Sequence, residues 1–319
     1  MQRFARSKCV LTGGDRQFSA NGHNREWEPS MPRRHNDPSH APEKSGKSAK
    51  SGKIRAGIGG WTFEPWRGVF YPDDLAQAKE LGYASRQLPV IEINGTYYST
   101  QKPQTFARWA AETPEDFVFT LKGPRYATNR RELGGAGESI ARFLESGVTE
   151  LGSKLGPLLW QFAPTKKFDE ADFGAFLDLL PEKFNGRKLQ HAVEVRHDSF
   201  STPAFVDLAR KKSVAIVFAD HAKYPAIADV TGDFVYARLQ TGKDDIPTAY
   251  TPKALNEWVG RAKVWAQGGV PDDLHVAEPD AKPKQKARDV FVFFIHEGKI
   301  RAPHAAMAFM ERLTRKPRA

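Results

Sequence analysis

The sequence predicts an α/β protein: one (β/α)8 TIM-barrel-like domain preceded by a disordered basic tail. Three observations lead there. Eight short apolar runs of strand length alternate with amphipathic or capped helical segments between residues 54 and 319, the pattern of a mostly parallel sheet. Eight such units in a stretch close to the ~250 residues of a typical barrel close on themselves more readily than they open into a doubly wound sheet. No GxGxxG, and no GxxxxGK followed by Ser or Thr, comes after any of the runs, so a dinucleotide or P-loop domain lacks its usual support.

The predicted strands are Ile54–Gly59, Val90–Asn94, Phe117–Lys122, Pro157–Phe162, His191–Arg196, Val214–Asp220, Phe234–Gln240 and Val290–His296. Helical patterns fall at Leu75–Tyr83, Pro103–Glu112, Glu138–Leu151, Asp169–Leu180 and Pro303–Leu313. The acidic start of the Asp169 segment suits a helix N-terminus. Thr202-Pro203 and Thr251-Pro252 read as N-cap and N1 pairs opening two more. Only the connection Asp220–Asp233 is too short for a full helix. Residues 268–289, rich in Gly, Pro, Asp and Lys, read as a flexible surface loop.

Charge separates the chain into two parts. Residues 1–53 carry 11 Lys and Arg against 5 Asp and Glu, more than half of the net +10 of the whole. They lack a sustained apolar period and are rich in Ser, Gly, Asn and Pro, so they cannot offset chain entropy by burial. The domain boundaries are therefore 1–53 for the tail and 54–319 for the barrel. The tail is either a basic arm for phosphate or a solvated end, with Met31 as a rival start. It has no apolar stretch of the about 7–15 residues found in a secretory signal. No run approaches the ~20 apolar residues of a spanning helix. The single cysteine, Cys9, excludes a disulfide framework and a cysteine-rich zinc site. The expected location is the cytoplasm, with no membrane partner.

Strand parity locates the chemistry, because side chains of a barrel strand alternate between lumen and helix layer. If Val193 and Val195 face the helices, Glu194 and Arg196 face inward. The same reasoning turns Glu92 and Asn94, Lys122, and Tyr236, Arg238 and Gln240 into the lumen. Gln161 pairs in phase with Leu159, opposite Trp160 and Phe162. Asp220 ends its strand, and His296 falls in phase with Val292 and Phe294. Polar side chains thus gather at the C-terminal ends of seven of the eight strands, the face on which barrel enzymes build active sites. The bland alternative is a set of ion pairs that merely fills the lumen. Buried charges cost several kcal/mol each unless paired, so this many favour a ligand pocket.

The leading expectation is an enzyme for an anionic, phosphate-bearing or nucleotide-like ligand. Lys122, Arg125, Arg196 and Arg238 are the cationic donors, since arginine grips phosphate or carboxylate bidentately. Glu194 is the candidate general acid or base, with Glu92 or Asp220 as its partner. Asn94, Gln161 and His296 complete the ligand set, and Trp61 and Tyr97 either stack on a ring or pack at the rim. Glycines in Gly134-Gly135-Ala136-Gly137, after Arg130-Arg131, either cradle an anion at a helix start or form a plain loop. A metal-dependent, nuclease-like hydrolase using Glu92, Glu194, His197, Asp220, His221 and His296 is the second expectation. No resident cofactor is indicated, a divalent metal belongs to that second reading, and its HxH or HExxH spacings are missing. The third is a non-catalytic nucleic-acid binder using the tail and the rim aromatics Trp66, Tyr97 and Tyr98. A carbohydrate-active barrel needs a carboxylate separation that sequence does not give. A serine nucleophile lacks its GxSxG.

Several of these segments together resemble the YecE-like family, catalogued as domain of unknown function 72. The segment Gly57-Ile58-Gly59-Gly60-Trp61-Thr62-Phe63, followed by Trp66-Arg67-Gly68-Val69-Phe70-Tyr71-Pro72, resembles its opening signature. Glu92-Ile93-Asn94-Gly95-Thr96-Tyr97-Tyr98, Lys122-Gly123-Pro124-Arg125, Leu158–Pro164, Val193–His197 and Val235–Leu239 resemble later ones. The resemblance runs over about residues 54 to 315. It implies a TIM-barrel-like fold and no particular activity. Members often carry an Asn pair after the last strand and His-Gly after the seventh, where this sequence reads Ile295-His296-Glu297-Gly298 and Gln240-Thr241-Gly242. The resemblance therefore carries no amide-based or His-based chemistry to those two loops.

Overall fold

A computed structural model describes residues 51–281 and 284–315. The tail, with Cys9 and Met31, lies outside the described residues except for positions 51–53. The barrel strands are β1 (Ile54–Gly59), β2 (Val90–Ile93), β3 (Val118–Lys122), β4 (Leu155–Gln161), β5 (His191–Glu194), β6 (Ala215–Asp220), β7 (Phe234–Thr241) and β8 (Asp289–Glu297). Each pairs in parallel with its sequence neighbours, and β1 also pairs with β8, Ile54 opposite Val290, closing the barrel. All eight expected strands are present, within two residues at each end.

Seven helices of eight residues or more pack outside: α1 (Glu80–Gln87), α2 (Pro103–Glu112), α3 (Gly137–Glu145), α4 (Glu170–Asp178), α5 (Pro203–Lys211), α6 (Pro252–Ala266) and α7 (Ala302–Thr314). As expected, none joins β6 to β7. The caps work as the sequence implies: Asp169, Thr202 and Thr251 accept the backbone N–H three residues on, from Asp172, Phe205 and Ala254. The first helix starts later than its pattern, at Glu80, after a 3-10 turn over Gln77–Lys79.

The predicted helix 138–151 is broken by Gly147, whose φ of +102° no side chain adopts comfortably. A Cβ there would lie 2.6 Å from Pro103 Cα. Gly147→Ala is expected to cost about 2 kcal/mol, from a strained dihedral plus this clash. A lower denaturant midpoint at unchanged slope is the result to look for.

Two apolar clusters follow from the parity. The outer one holds Ile91, Ile93, Phe119, Leu121, Trp160, Val193 and Leu239 against the helices. The inner one, with Val90, Leu159, Val217, Phe234, Tyr236, Phe291 and Phe293, fills the lower lumen. Tyr236 stacks on Phe293 at 4.9 Å, so the floor beneath the polar layer is packed and apolar. The described residues between 268 and 288 form no helix or strand. Their backbone is held by side chains at several points. The buried Arg288 donates to the carbonyls of Gly232, Gly268 and Lys284, and Asp229 accepts from the N–H groups of Ala277 and Glu278. Among the described residues no helix is long and apolar enough to cross a membrane.

Candidate functional site

Above the apolar floor the inward positions of neighbouring strands turn charged. Arg238 on β7 spans the lumen between two carboxylates. Its Nε and Nη2 grip Glu92 of β2, Nη2 at 2.9 Å from Oε1 and Nε at 3.1 Å from Oε2. Its Nη1 donates to Glu194 of β5. Glu92 also accepts from Tyr236 Oη at 2.7 Å, and that hydroxyl lies 3.0 Å from Thr120 Oγ1. Glu194 takes Gln161 Nε2 at 2.9 Å on one oxygen and Arg196 at 2.8–2.9 Å on the other. Both carboxylates are fully buried.

The environment sets the protonation of this layer. Burial alone would push the Glu194 carboxyl up, but Arg238 and then Arg196 outweigh it and hold it down to about 2. Burial lowers the Arg238 guanidinium, and Glu194 and Glu92 more than reverse that. Lys122 is treated differently. Burial, then Arg238, lowers its ammonium to about 8, against the opposing pull of Glu92 and Glu194. Among the described residues its Nζ has no carboxylate within 4 Å, since both nearby ones are taken by arginines. It lies instead 4.2 Å from the centre of the Tyr97 ring.

Over this layer opens a cleft of about 450 Å³ lined by Asn94, Lys122, Gln161, Arg196, Arg238 and Gln240, with Tyr98, His296 and Lys299 around the rim; Trp66, expected as a rim aromatic, is buried beside it with Nε1 donating to the Lys299 carbonyl. Gly59 floors one side. A Cβ there would sit 2.9 Å from Asn94 Nδ2 and close the space beside Glu92. Gln240, almost wholly buried, has no hydrogen-bond partner for Nε2 among the described residues. A buried amide donor without an acceptor costs about 1–3 kcal/mol, which a ligand oxygen in the cleft would relieve. A comparable hollow of about 470 Å³ at the opposite barrel face, lined by Leu177, Gln190, Lys212 and Phe234, sits at the strand starts, where conserved chemistry is not built in barrels.

The structure brings together Glu92, Glu194, Lys122, Gln161, Arg196, Arg238 and Asn94. It does not bring in Asp220. The inward positions of β6 are Val217 and Ala219, so Asp220 turns aside and accepts from Thr241 Oγ1 at 2.5 Å. Trp61 packs edge-on against Trp109 at 5.1 Å and against Phe119, the rim-packing alternative. Arg125 is fully exposed over Tyr126, at 5.3 Å, away from the buried layer. His296 reaches the rim only because a bulge between Phe294 and Glu297 breaks the strand's phase, with φ of +69° at His296 itself. The glycine-rich segment is no free anion cradle: Asp172 occupies it, accepting the Leu133 N–H at 2.6 Å.

Two contributors lie outside the expected set. Tyr224, on the β6–β7 connection, covers Arg196 at 4.6 Å and stacks on His221 at 3.9 Å. Lys299 enters from the turn after β8, its ammonium 3.9 Å from the centre of the Phe63 ring. Neither lies on a strand, so alternation gives no signal for them. Gln240 was legible, two residues after Arg238 on the same face.

Fold and site together define the class: a closed, eight-stranded parallel barrel with a mixed-charge cleft where the strands end. Within it, the chain belongs to the family described as "Protein of unknown function DUF72", which matches residues 55–319. It is 31% identical over 119 residues to the UPF0759 protein YecE of Escherichia coli K12, covering 36% of this chain and 41% of YecE. It is 28% identical over 160 residues to the UPF0759 protein YunF of Bacillus subtilis 168, covering 48% and 54%. The matches thus span about half or less of these relatives' length. The crystal structure of a DUF72 family protein from Thermotoga maritima aligns with a TM-score of 0.61 at 22% identity, over 82% of this chain and all of that one, a likeness of fold.

Proposed function

We propose that the cleft binds an anionic, phosphate-bearing ligand and that the protein is an enzyme acting on it by acid/base chemistry. One observation carries this reading: Lys122 is a buried ammonium with no carboxylate of its own among the described residues. Such a charge is costly unless something supplies a counter-charge. An anion in the cleft would do so, with Arg196 and the free amide of Gln240 as further donors.

The roles of the carboxylates change accordingly. A carboxylate held near 2 and filled by two arginines and a glutamine is a weak base at neutral pH. In this reading Glu194 and Glu92 are positioning residues that aim Arg238 and Arg196, and Lys122, near 8, is the group that exchanges a proton. The metal-hydrolase alternative is less well supported. Among the described residues no three His, Cys, Asp or Glu side chains come together as metal ligands, and the oxygens of Glu92 and Glu194 are engaged by arginines.

The test is a thermal-shift titration at constant ionic strength. Inorganic phosphate and sulfate are expected to raise the melting temperature at pH 7 by mass action. Sulfate keeps its charge across the range, so it isolates the lysine. The ammonium form binds the anion, so its stabilisation should fade as pH rises through and above about 8. No shift with either anion, together with a clear response to divalent metals, would overturn the reading in favour of the hydrolase.

A further inference from the structure

The rim beside the cleft carries a feature that anion binding does not use. Among the described residues the exposed large hydrophobic side chains are Tyr98, 64% exposed, Tyr126, 61%, and Val264. The two tyrosines lie on adjoining loops of the C-terminal face. Tyr98 ends a one-turn helix, Gly95–Tyr98, after β2; Tyr126 sits in another, Arg125–Thr128, after β3, and β2 pairs with β3. Asn129 Nδ2 donates to Tyr97 Oη at 3.3 Å and so ties the two loops together.

Each ring faces a hollow. Tyr98 lines the main cleft. Tyr126 lines a second one, of about 330 Å³, with Thr100, Pro124 and Arg130. Tyr98 lines the first and Thr100, two residues on, lines the second, so the hollows lie on either side of this short segment. Cations lie along the path, and of the carboxylates that line the two hollows Glu138 is paired with Arg142, while Glu297 stands at the main cleft. Lys122 lies against Tyr97, which itself meets Tyr98 edge-on at 5.0 Å. Arg125 lies over Tyr126. Arg130 is held by the carbonyls of Tyr126 and Gly135, at 2.7 and 2.6 Å, so its charge is fixed in place without a carboxylate partner among the described residues. Exposed rings interleaved with positioned cations are the elements of base stacking along a phosphate backbone.

We propose that this rim is a stacking platform for single-stranded nucleic acid, with bases on Tyr98 and Tyr126 and phosphates along Arg125, Arg130 and the mouth of the cleft. Two rings in two adjoining hollows fit a strand better than a mononucleotide. The proposal names the ligand class of the anion cleft and rests on that reading only for the phosphate that enters it.

The experiment is fluorescence anisotropy of the full chain with labelled 12-mers of dT and rU, at two salt concentrations, with duplex DNA as competitor. The joint variant Tyr98→Ala/Tyr126→Ala is expected to weaken binding by about tenfold or more. Tyr98→Phe/Tyr126→Phe keeps the π faces and should bind as the parent does. Both variants change exposed side chains and should keep the parent's melting temperature. Undiminished binding by the alanine variant, or duplex bound as tightly as the single strand, overturns the platform. Loss of the sulfate shift in the parent overturns the anion reading instead, so the two failures are distinct.

Discussion

Arg238→Met is expected to destabilise the barrel by about 3–5 kcal/mol or more, the range for removing one partner from a buried charge pair. The reason is geometric. Arg238 is the shared counter-ion of Glu92 and Glu194, both fully buried. Methionine fills the volume but leaves Glu92 with the Tyr236 hydroxyl and Glu194 with Arg196 and Gln161. Urea denaturation at pH 7 measures the loss. A cost under about 1 kcal/mol would mean that the two carboxylates do not depend on this residue.

The pH dependence separates this from a simple packing defect. In the parent, Glu194 has a folded-state pKa depressed to about 2. It therefore contributes stability that is present above the unfolded carboxylate value and is lost as pH falls toward 2. In the variant Glu194 has lost its largest counter-charge, so burial weighs more and its carboxyl moves up. Its protonation then relieves the strain, so the variant should gain stability as pH falls from 7 toward 5 while the parent does not. Adding Glu92→Gln to Arg238→Met should recover part of the loss, because it removes one of the two stranded charges.

How much of this was legible in the sequence follows from where strand alternation holds. Glu92, Glu194, Arg196, Lys122, Gln161 and Arg238 lie on strands or one or two residues past them, and period 2 placed them in the lumen. Asp220 was included by position alone, although Val217 and Ala219 before it already claim the inward face. Past the strand ends the period fails. His296 depends on a bulge, Lys299 on a turn with Gly298 at positive φ, and Tyr224 on a loop with no pattern. Pairing was invisible for another reason. Arg238 meets Glu92 across 146 positions of sequence and Glu194 across 44, and both fall to the same arginine only because the barrel closes. Without that, the carboxylates look like a free acid/base pair; with it, they are saturated and the lysine is left over.

That leftover charge gives the second large effect, and its sign is opposite. Lys122→Met is expected to stabilise the protein at pH 7 by about 1–3 kcal/mol and to abolish the sulfate shift. Methionine matches the lysine stem in length and removes an ammonium that burial disfavours. The lowering from 10.5 to about 8 corresponds to a penalty of about 3 kcal/mol carried by the charged form. The penalty is full below pH 8, where both folded and unfolded chains hold the proton. Between about 8 and 10 the folded state releases it first, so parental stability rises with pH relative to the variant. The two should converge near pH 10, in paired denaturation curves at pH 7 and 10. A residue kept for packing behaves otherwise. If contact with the Tyr97 ring were its purpose, the methionine variant would lose stability at every pH and would still respond to sulfate. A gain in stability joined to a loss of binding is the mark of a charge retained for a ligand, at a cost to the fold.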